Sequence, residues 1–489
     1  MKSDTPHILL VNPWIHDFAA YDFWAKPLGL LQLAAILRLH HMSVSYIDCL
    51  DRHHPQMRLT AGKSRNGRGP YLKTPIAKPP GLDDIQRNYS RYGIRIDWFK
   101  QSLAQVPKPD MVLVTSLMTY WYPGVQETIR VLRNVYKHTP VVLGGIYAGL
   151  CREHAEKTSG ADRVVSGPGE PLILDLVHSF TGFSATPLFD VNSLDSYPYP
   201  AYDLQHAIAY VPLLTSKGCP FNCAYCASRY LQPKRITRSP QSVVEEILFW
   251  HNRYGIIDFA FYDDALLVNA ADHMLPILEG IVRSGLRVRF HTPNAVHVRE
   301  ISRETARLMF DAGFETIRLG VESAEFNERR TMDTKVTADE FSKGVQRLKA
   351  AGFSRNQIGA YLLVGLPHQS LSSIRNSIRI VKAGGIVPVM AYYSPIPHTA
   401  MWPSAVDSSR YDLEADPIYT NNAIWPCSRE PFSWQTLSEL KNLIQSEPDD
   451  DFKGAPYESK QNRPHMYCGA GPGCGPEDMG TPAGQSKAG

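Results

Sequence analysis

The sequence predicts an α/β protein in two parts: a doubly wound parallel sheet, then a partial (β/α)6 TIM-like barrel with a small C-terminal region. Three observations predict it. Short apolar runs alternate with amphipathic stretches along most of the 489 residues. In the first 180 residues the runs are continuous in Val, Ile and Leu rather than alternating with polar residues, which marks strands buried on both faces. The rhythm breaks in a Pro-rich stretch at 181–205 and then restarts.

The first part covers residues 1–180. HILLVNP (7–13) reads as a buried strand, and PLGLLQLAAILRLHH (27–41) repeats its apolar residues at helical spacing. SVSYIDCL (43–50), DMVLVTS (110–116), PVVLGG (140–145) and DRVVSG (162–167) supply four more strands, with a helix over 125–137. Five such strands fit a Rossmann-like or flavodoxin-like domain. Residues 51–96 interrupt it with a run rich in Gly, Pro, Lys and Arg and without period. An insertion of that length is expected to be a functional loop or disordered.

The second part runs over 206–400 after the linker at 181–205. Strands are predicted at 210–216, 258–264, 287–293, 316–322, 358–367 and 387–395. Helices fall between them at 242–254, 273–283, 302–312, 338–351 and 371–383. Six β/α units in succession make a barrel or part of one. Residues 401–452 form a C-terminal extension, and the Pro- and Gly-rich tail at 453–489 is expected to be disordered.

Composition narrows the function classes. A formal net charge of +3, with 43% hydrophobic and 20% charged residues, gives no reason to expect nucleic acid or a membrane as partner. There is no apolar run long enough to span a bilayer and no signal-peptide pattern at the start, so a cytoplasmic location is expected. Eight Cys, three of them clustered, suit a metal site in a reducing compartment better than a disulfide framework.

That cluster is CPFNCAYC (219–226), in which Cys219, Cys223 and Cys226 are three soft ligands on one loop. A structural zinc site would want a fourth ligand from a second spaced pair, and none follows. The loop comes just after the first barrel strand, at the end where such barrels build active sites. An open position on the metal is how a catalytic centre keeps room for a ligand.

CPFNCAYC resembles the signature of the radical SAM superfamily. The resemblance implies a 4Fe–4S cluster held by Cys219, Cys223 and Cys226, with Tyr225 as the aromatic that belongs to the pattern. It also implies that the fourth iron is chelated by S-adenosylmethionine, whose one-electron cleavage gives methionine and a 5′-deoxyadenosyl radical. RSPQSVVEEI (238–247) and FYDDAL (261–266) are similar to the first helix and second strand of these barrels, with Asp263 and Asp264 placed to accept from the cosubstrate ammonium. LGVES (319–323) is similar to the fourth-strand motif, making Glu322 or Ser323 the ribose contact. The bland reading of Glu322 is a buried salt bridge. VGLP (364–367) ends the fifth strand, where the backbone at Gly365 and Pro367 would lie against adenine.

The domain ahead of the barrel resembles the cobalamin-binding branch of this superfamily. The matching segments are ILLVNP (8–13), KPLGLL (26–31), VVLGGIYA (141–148), GPGE (167–170) and SPIPHT (394–399). Asn12, Gly144, Gly145, Gly167 and Gly169 thereby become candidate corrin contacts at strand ends, where sheets of this class bind ligands. Tyr120 and its neighbours Trp121 and Tyr122 either face the corrin or pack a domain interface. The D-x-H-x-x-G motif is absent, NPWIHD (12–17) standing in its place, and His53 and His54 read as surface residues.

The function expected is a cobalamin-dependent radical SAM methyltransferase acting on an unactivated carbon or similar centre. Its substrate would be a small molecule or peptide, and its electrons would come from an external flavodoxin- or ferredoxin-type donor. One alternative keeps the radical chemistry without methyl transfer, as a cyclase or rearranging enzyme. Another is a non-catalytic iron–sulfur or zinc protein. Methylthiotransferases need three Cys in the first domain, which here offers only Cys49 and Cys151. Cys427, Cys468 and Cys474 could hold an auxiliary cluster only if brought together.

Overall fold

Five parallel strands form the first sheet of the computed structural model, which describes residues 5–57, 64–326, 332–333, 335–428 and 433–446. They are β1 (His7–Asn12), β2 (Ser43–Asp48), β3 (Met111–Val114), β4 (Val141–Leu143) and β5 (Arg163–Val164). Their spatial order is β5-β4-β3-β1-β2, so the chain changes direction between β1 and β3. That is the flavodoxin-like order, and ligands bind such sheets beyond the strand C-termini at the switch point. β1 is buried along its whole length. Apolar clusters cover both faces of the sheet: Phe99, Val125 and Leu132 on one, Leu30, Leu37 and Ile173 on the other.

Six further parallel strands follow in unbroken neighbour order. They are β6 (Val211–Leu213), β7 (Asp258–Phe261), β8 (Arg289–His291), β9 (Phe314–Glu322), β10 (Ile358–Val364) and β11 (Val387–Tyr392). The helices Pro240–Tyr254, Met274–Ser284, Arg303–Asp311, Ala338–Ala350 and Leu371–Ala383 cover the outside. Ser239, Ser302, Thr337 and Ser370 cap four of them by accepting from a backbone N–H in the first turn. Along β9, Ile317, Leu319 and Val321 face this helix layer, which leaves Arg318, Gly320 and Glu322 for the barrel interior.

The insertion is more ordered than expected. Its described residues include the short strands Gly69–Pro70, Lys73–Pro75 and Ser90–Tyr92, which pair with each other or with Ile15–Asp17 and Tyr21–Asp22. Tyr71, Leu82, Ile85, Tyr89 and Tyr92 join a core with Ile418 and Ile424 of the C-terminal extension. Enough aromatic and aliphatic side chain is scattered among the Gly and Pro residues to bury a small core. The linker is also anchored: Ala201 N–H donates to Leu31 O (3.0 Å) and Tyr202 is buried. Cys468, Cys474 and the tail lie outside the described residues. Among those described, no helix is long and apolar enough to cross a membrane.

Candidate active site

The Cys loop leaves β6 and ends at the helix Ser228–Leu231. Cys223 is buried, Cys219 half-buried and Cys226 exposed. Ser228 N–H donates to Cys226 Sγ (3.4 Å). Ala224 fastens the loop on two sides: its N–H donates to Met332 O (2.9 Å) and its carbonyl accepts from Met401 N–H (2.8 Å). Burial pushes the Cys219 thiol up and Cys223 to about 11, while the Lys335 ammonium opposes both shifts. The thiols are not drawn into a closed metal-ligand set among the described residues. Their chemistry fits an iron–sulfur cluster: three soft donors on one turn, electrostatically coupled, with a cation nearby to favour thiolates.

The other predicted cosubstrate residues surround the same barrel mouth, with one correction. Asp263 is buried, and its carboxylate is already occupied. It accepts from Thr215 N–H (3.1 Å), Thr215 Oγ1 (2.7 Å) and Ser216 Oγ (2.7 Å). It therefore anchors the start of the Cys loop instead of meeting an ammonium. Asp264, the next residue, is exposed and near Ser228 and the Gly218 amide, which leaves its carboxylate open at the loop. Glu322 ends β9 in the left-handed region (φ 61°), buried, with Lys335 Nζ 3.5 Å from Oε1. The salt bridge and the position at the mouth are both realised. Ser323 beside it is buried.

At the end of β10, Gln369 Oε1 accepts from Gly365 N–H (2.8 Å) and Leu366 N–H (3.2 Å), fixing the Gly365–Pro367 turn. Gly365 and Leu366 line a cavity of about 360 Å³ with Trp425 and Cys427. Cys427 packs against Tyr393 and Leu413, and burial pushes its thiol up to about 11. That is the setting of an apolar core thiol rather than a cluster ligand.

In the first domain, Gly144, Gly145, Gly167 and Gly169 line one cavity of about 220 Å³ beyond the ends of β3, β4 and β5. A side chain at Gly144 would meet nothing nearer than Val165 O at 4.0 Å, and one at Gly167 nothing within 4 Å. Gly167 and Gly145 both hold positive φ (120° and 96°), but Gly145 is also crowded: a Cβ there would stand 2.2 Å from Ser116 O. Leu117 and Met118 on the loop after β3, and Ile146 at the start of the helix after β4, are exposed. Open glycines beside unpartnered apolar residues form a cradle that fits a large, flat, partly apolar cofactor such as a corrin.

Three other expectations need correction. Asn12 is buried, its Nδ2 donates to Asp48 Oδ1 (2.7 Å), and it does not line the glycine cavity. Tyr120 is fully buried among Ile418, Ala423 and Ile424, so the interface-packing reading holds and the corrin contact does not. The aromatic body gains more from that core than from a wet edge. His54 is buried and stacks on Trp98 (ring centroids 5.2 Å apart) instead of lying on the surface. His16, in the segment standing where the missing motif would be, is paired with Glu127 (2.8 Å).

Cradle and Cys loop approach each other closely. The helix Ile146–Leu150 follows Gly145 directly and packs against Ser228–Leu231, which follows Cys226. Lys217, two residues before Cys219, pairs with Glu170 of the GPGE turn. His398 Nε2 bonds Leu150 O (3.0 Å) and its ring stacks on Tyr230. Sequence reasoning missed Lys335 and Lys217, because a single Lys carries no pattern. Lys217 had one available signal, its place immediately before Gly218–Cys219.

Comparison with known proteins agrees with this geometry. Residues 213–381 match the model of the radical SAM superfamily, and residues 97–177 match that of the B12 binding domain. The chain thus carries a radical SAM domain preceded by a domain of the B12-binding kind. It is 25% identical over 345 residues to an uncharacterised methyltransferase of Pyrococcus horikoshii, covering 64% of this chain and 74% of that one. It is 22% identical over 376 residues to cytidylyl-2-hydroxyethylphosphonate methyltransferase of Streptomyces wedmorensis, covering 65% of each. The fold is similar to the radical S-adenosylmethionine methyltransferase TsrM from Kitasatospora setae, solved with cobalamin and a 4Fe–4S cluster. The TM-score is 0.61 at 17% identity, over 83% of this chain and 76% of that one.

Proposed function

We propose that this protein is a cobalamin-dependent radical SAM methyltransferase that methylates an unactivated carbon or similar centre of a small molecule. The observation that carries the proposal is the direct packing of the cradle helix Ile146–Leu150 against the helix that leaves the Cys loop. When bound, the cluster supplies the electron that cleaves S-adenosylmethionine, and the corrin serves as methyl carrier. Cys219, Cys223 and Cys226 hold the cluster. Asp264 receives the cosubstrate ammonium, Glu322 and Ser323 the ribose, and the Gly365–Pro367 backbone the adenine. Tyr225 packs against the cluster of Tyr393, Leu413 and Cys427 and so fixes the loop on that side. Gly144 and Gly167 give the corrin room, Gly145 keeps the turn that shapes it, and Gly169 lets the turn close on Leu33, where a Cβ would stand 3.0 Å from Cδ1. An external flavodoxin- or ferredoxin-type donor supplies the electron.

The test is anaerobic reconstitution with iron, sulfide and a corrin, followed by assay of S-adenosylmethionine cleavage. A reducible 4Fe–4S signal that changes on adding the cosubstrate, together with bound corrin absorbance, is the expected result. Cleavage surviving in Cys223→Ala overturns the radical assignment. Cleavage with reproducible absence of corrin binding overturns the methyltransferase assignment while leaving the radical chemistry.

A further inference from the structure

Lys335 belongs to no motif, yet its ammonium sits amid the groups that surround the Cys loop. Nζ is 3.5 Å from Glu322 Oε1 and 5.4 Å from the centre of the Tyr225 ring, and the side chain is 14% exposed. The backbone around it is tied to the same loop. Met332 O accepts from Ala224 N–H (2.9 Å), and Lys335 O accepts from Arg299 Nε (2.6 Å), whose guanidinium lies over Phe221 of the Cys loop. Desolvation works against a charged ammonium here. The Glu322 carboxylate beside it pairs with the ammonium and holds it in place.

A fixed cation in such a place has a definite electrostatic consequence. Reducing a thiolate-ligated cluster adds one negative charge to a set that is already anionic. A buried positive charge near the thiolates lowers the cost of that electron, because little water intervenes to screen it.

We propose that Lys335 is a positioning residue that raises the reduction potential of a cluster held by Cys219, Cys223 and Cys226, while holding Glu322 at the barrel mouth. This rests on the assignment of those three Cys as cluster ligands. The electron itself comes from the external donor, and Lys335 neither gives nor takes a proton.

The test uses the full chain, reconstituted anaerobically, with iron and sulfide analysis followed by a redox titration read by electron paramagnetic resonance. Lys335→Met is expected to shift the midpoint potential negative, Lys335→Arg to keep it near wild type, and Glu322→Gln to shift it positive. Opposite signs at the two partners are what a charge effect gives and a packing effect does not. A wild-type potential in Lys335→Met overturns the proposal, as does a shift of the same sign in both Lys335→Met and Glu322→Gln. Should Lys335→Met fail to load iron, Lys335→Arg and Glu322→Gln decide: an unchanged potential in Glu322→Gln, or a negative shift in Lys335→Arg, overturns it. A wild-type chain that holds no 4Fe–4S cluster fails at the Cys assignment itself, which iron analysis reveals before any potential is measured.

Discussion

The Lys217 ammonium lies 2.5 Å from the Glu170 carboxylate, joining the barrel segment that leads into the Cys loop to the glycine turn of the first domain. The side chains are 23% and 9% exposed, so water screens the pair only in part. Lys217 also stands over the Tyr197 ring of the linker. Glu170→Gln is expected to cost about 1–3 kcal/mol of stability, less than a fully buried pair. Thermal melting checks the stability, and the yield of methylated product per S-adenosylmethionine cleaved checks the alignment. We expect that yield to fall more than cleavage itself.

Two adjacent glycines give opposite outcomes. Gly144→Leu sends its side chain into open space, so corrin affinity falls at least tenfold with little change in melting temperature. Gly145→Ala meets Ser116 O at 2.2 Å in a left-handed backbone, costing about 1–3 kcal/mol or more before any ligand is considered. Corrin titration and melting curves on both variants separate the effects.

A second neighbouring pair divides the same way. Asp264→Asn removes an exposed carboxylate and is expected to weaken S-adenosylmethionine binding by about 1.5–3 kcal/mol, the range for a hydrogen bond to a charged group. Its fold is unaffected. Asp263→Ala strands the buried donors of Thr215 and Ser216, at about 1–3 kcal/mol for each group left unsatisfied, and lowers the melting temperature. Calorimetric binding and melting on each variant report which carboxylate does which task.

Asp17 predicts a pH dependence. It is fully buried, and burial pushes its carboxyl up to about 6, against hydrogen bonds from Asn421, Trp121 and the Phe18 amide. The folded chain therefore binds this proton more tightly than the unfolded chain. The contribution is fully present below the unfolded value near 3.8 and is lost as pH rises through 6. Its full size is on the order of 2–3 kcal/mol. Melting of wild type and Asp17→Asn between pH 7.5 and pH 4 should show wild type gaining relative to the variant as pH falls. Burial holds His273 down near 4, which opposes this trend, but it is common to both chains and cancels in the difference.

Much of this was legible before any coordinates. Every strand of both parallel sheets lies within a segment read from the sequence or overlaps one closely, most plainly β1, β3 and β4, which are buried along their whole length and have almost no polar positions to blur them. The Cys loop and Glu322 were legible for a related reason: spacing and strand ends are local properties of the chain. Asp263 and Tyr120 were misread because their partners, Thr215 and Ile424, are distant in sequence and only the fold brings them near. The insertion was misread because its core is made with residues some 330 positions later, as in Tyr89 against Ile418. Lys335 illustrates the limit from the other side, since one ammonium acquires meaning only from what surrounds it.

Ala224 is held by Met332 on one side and Met401 on the other, so the Cys loop is completed by segments made long after it. Contacts of such sequence separation form late, because loop closure must precede them. During synthesis, the loop cannot reach its final shape until residue 401 has left the ribosome. Truncation before Met401, far beyond the Cys motif, is therefore expected to loosen the Cys loop and weaken cluster loading.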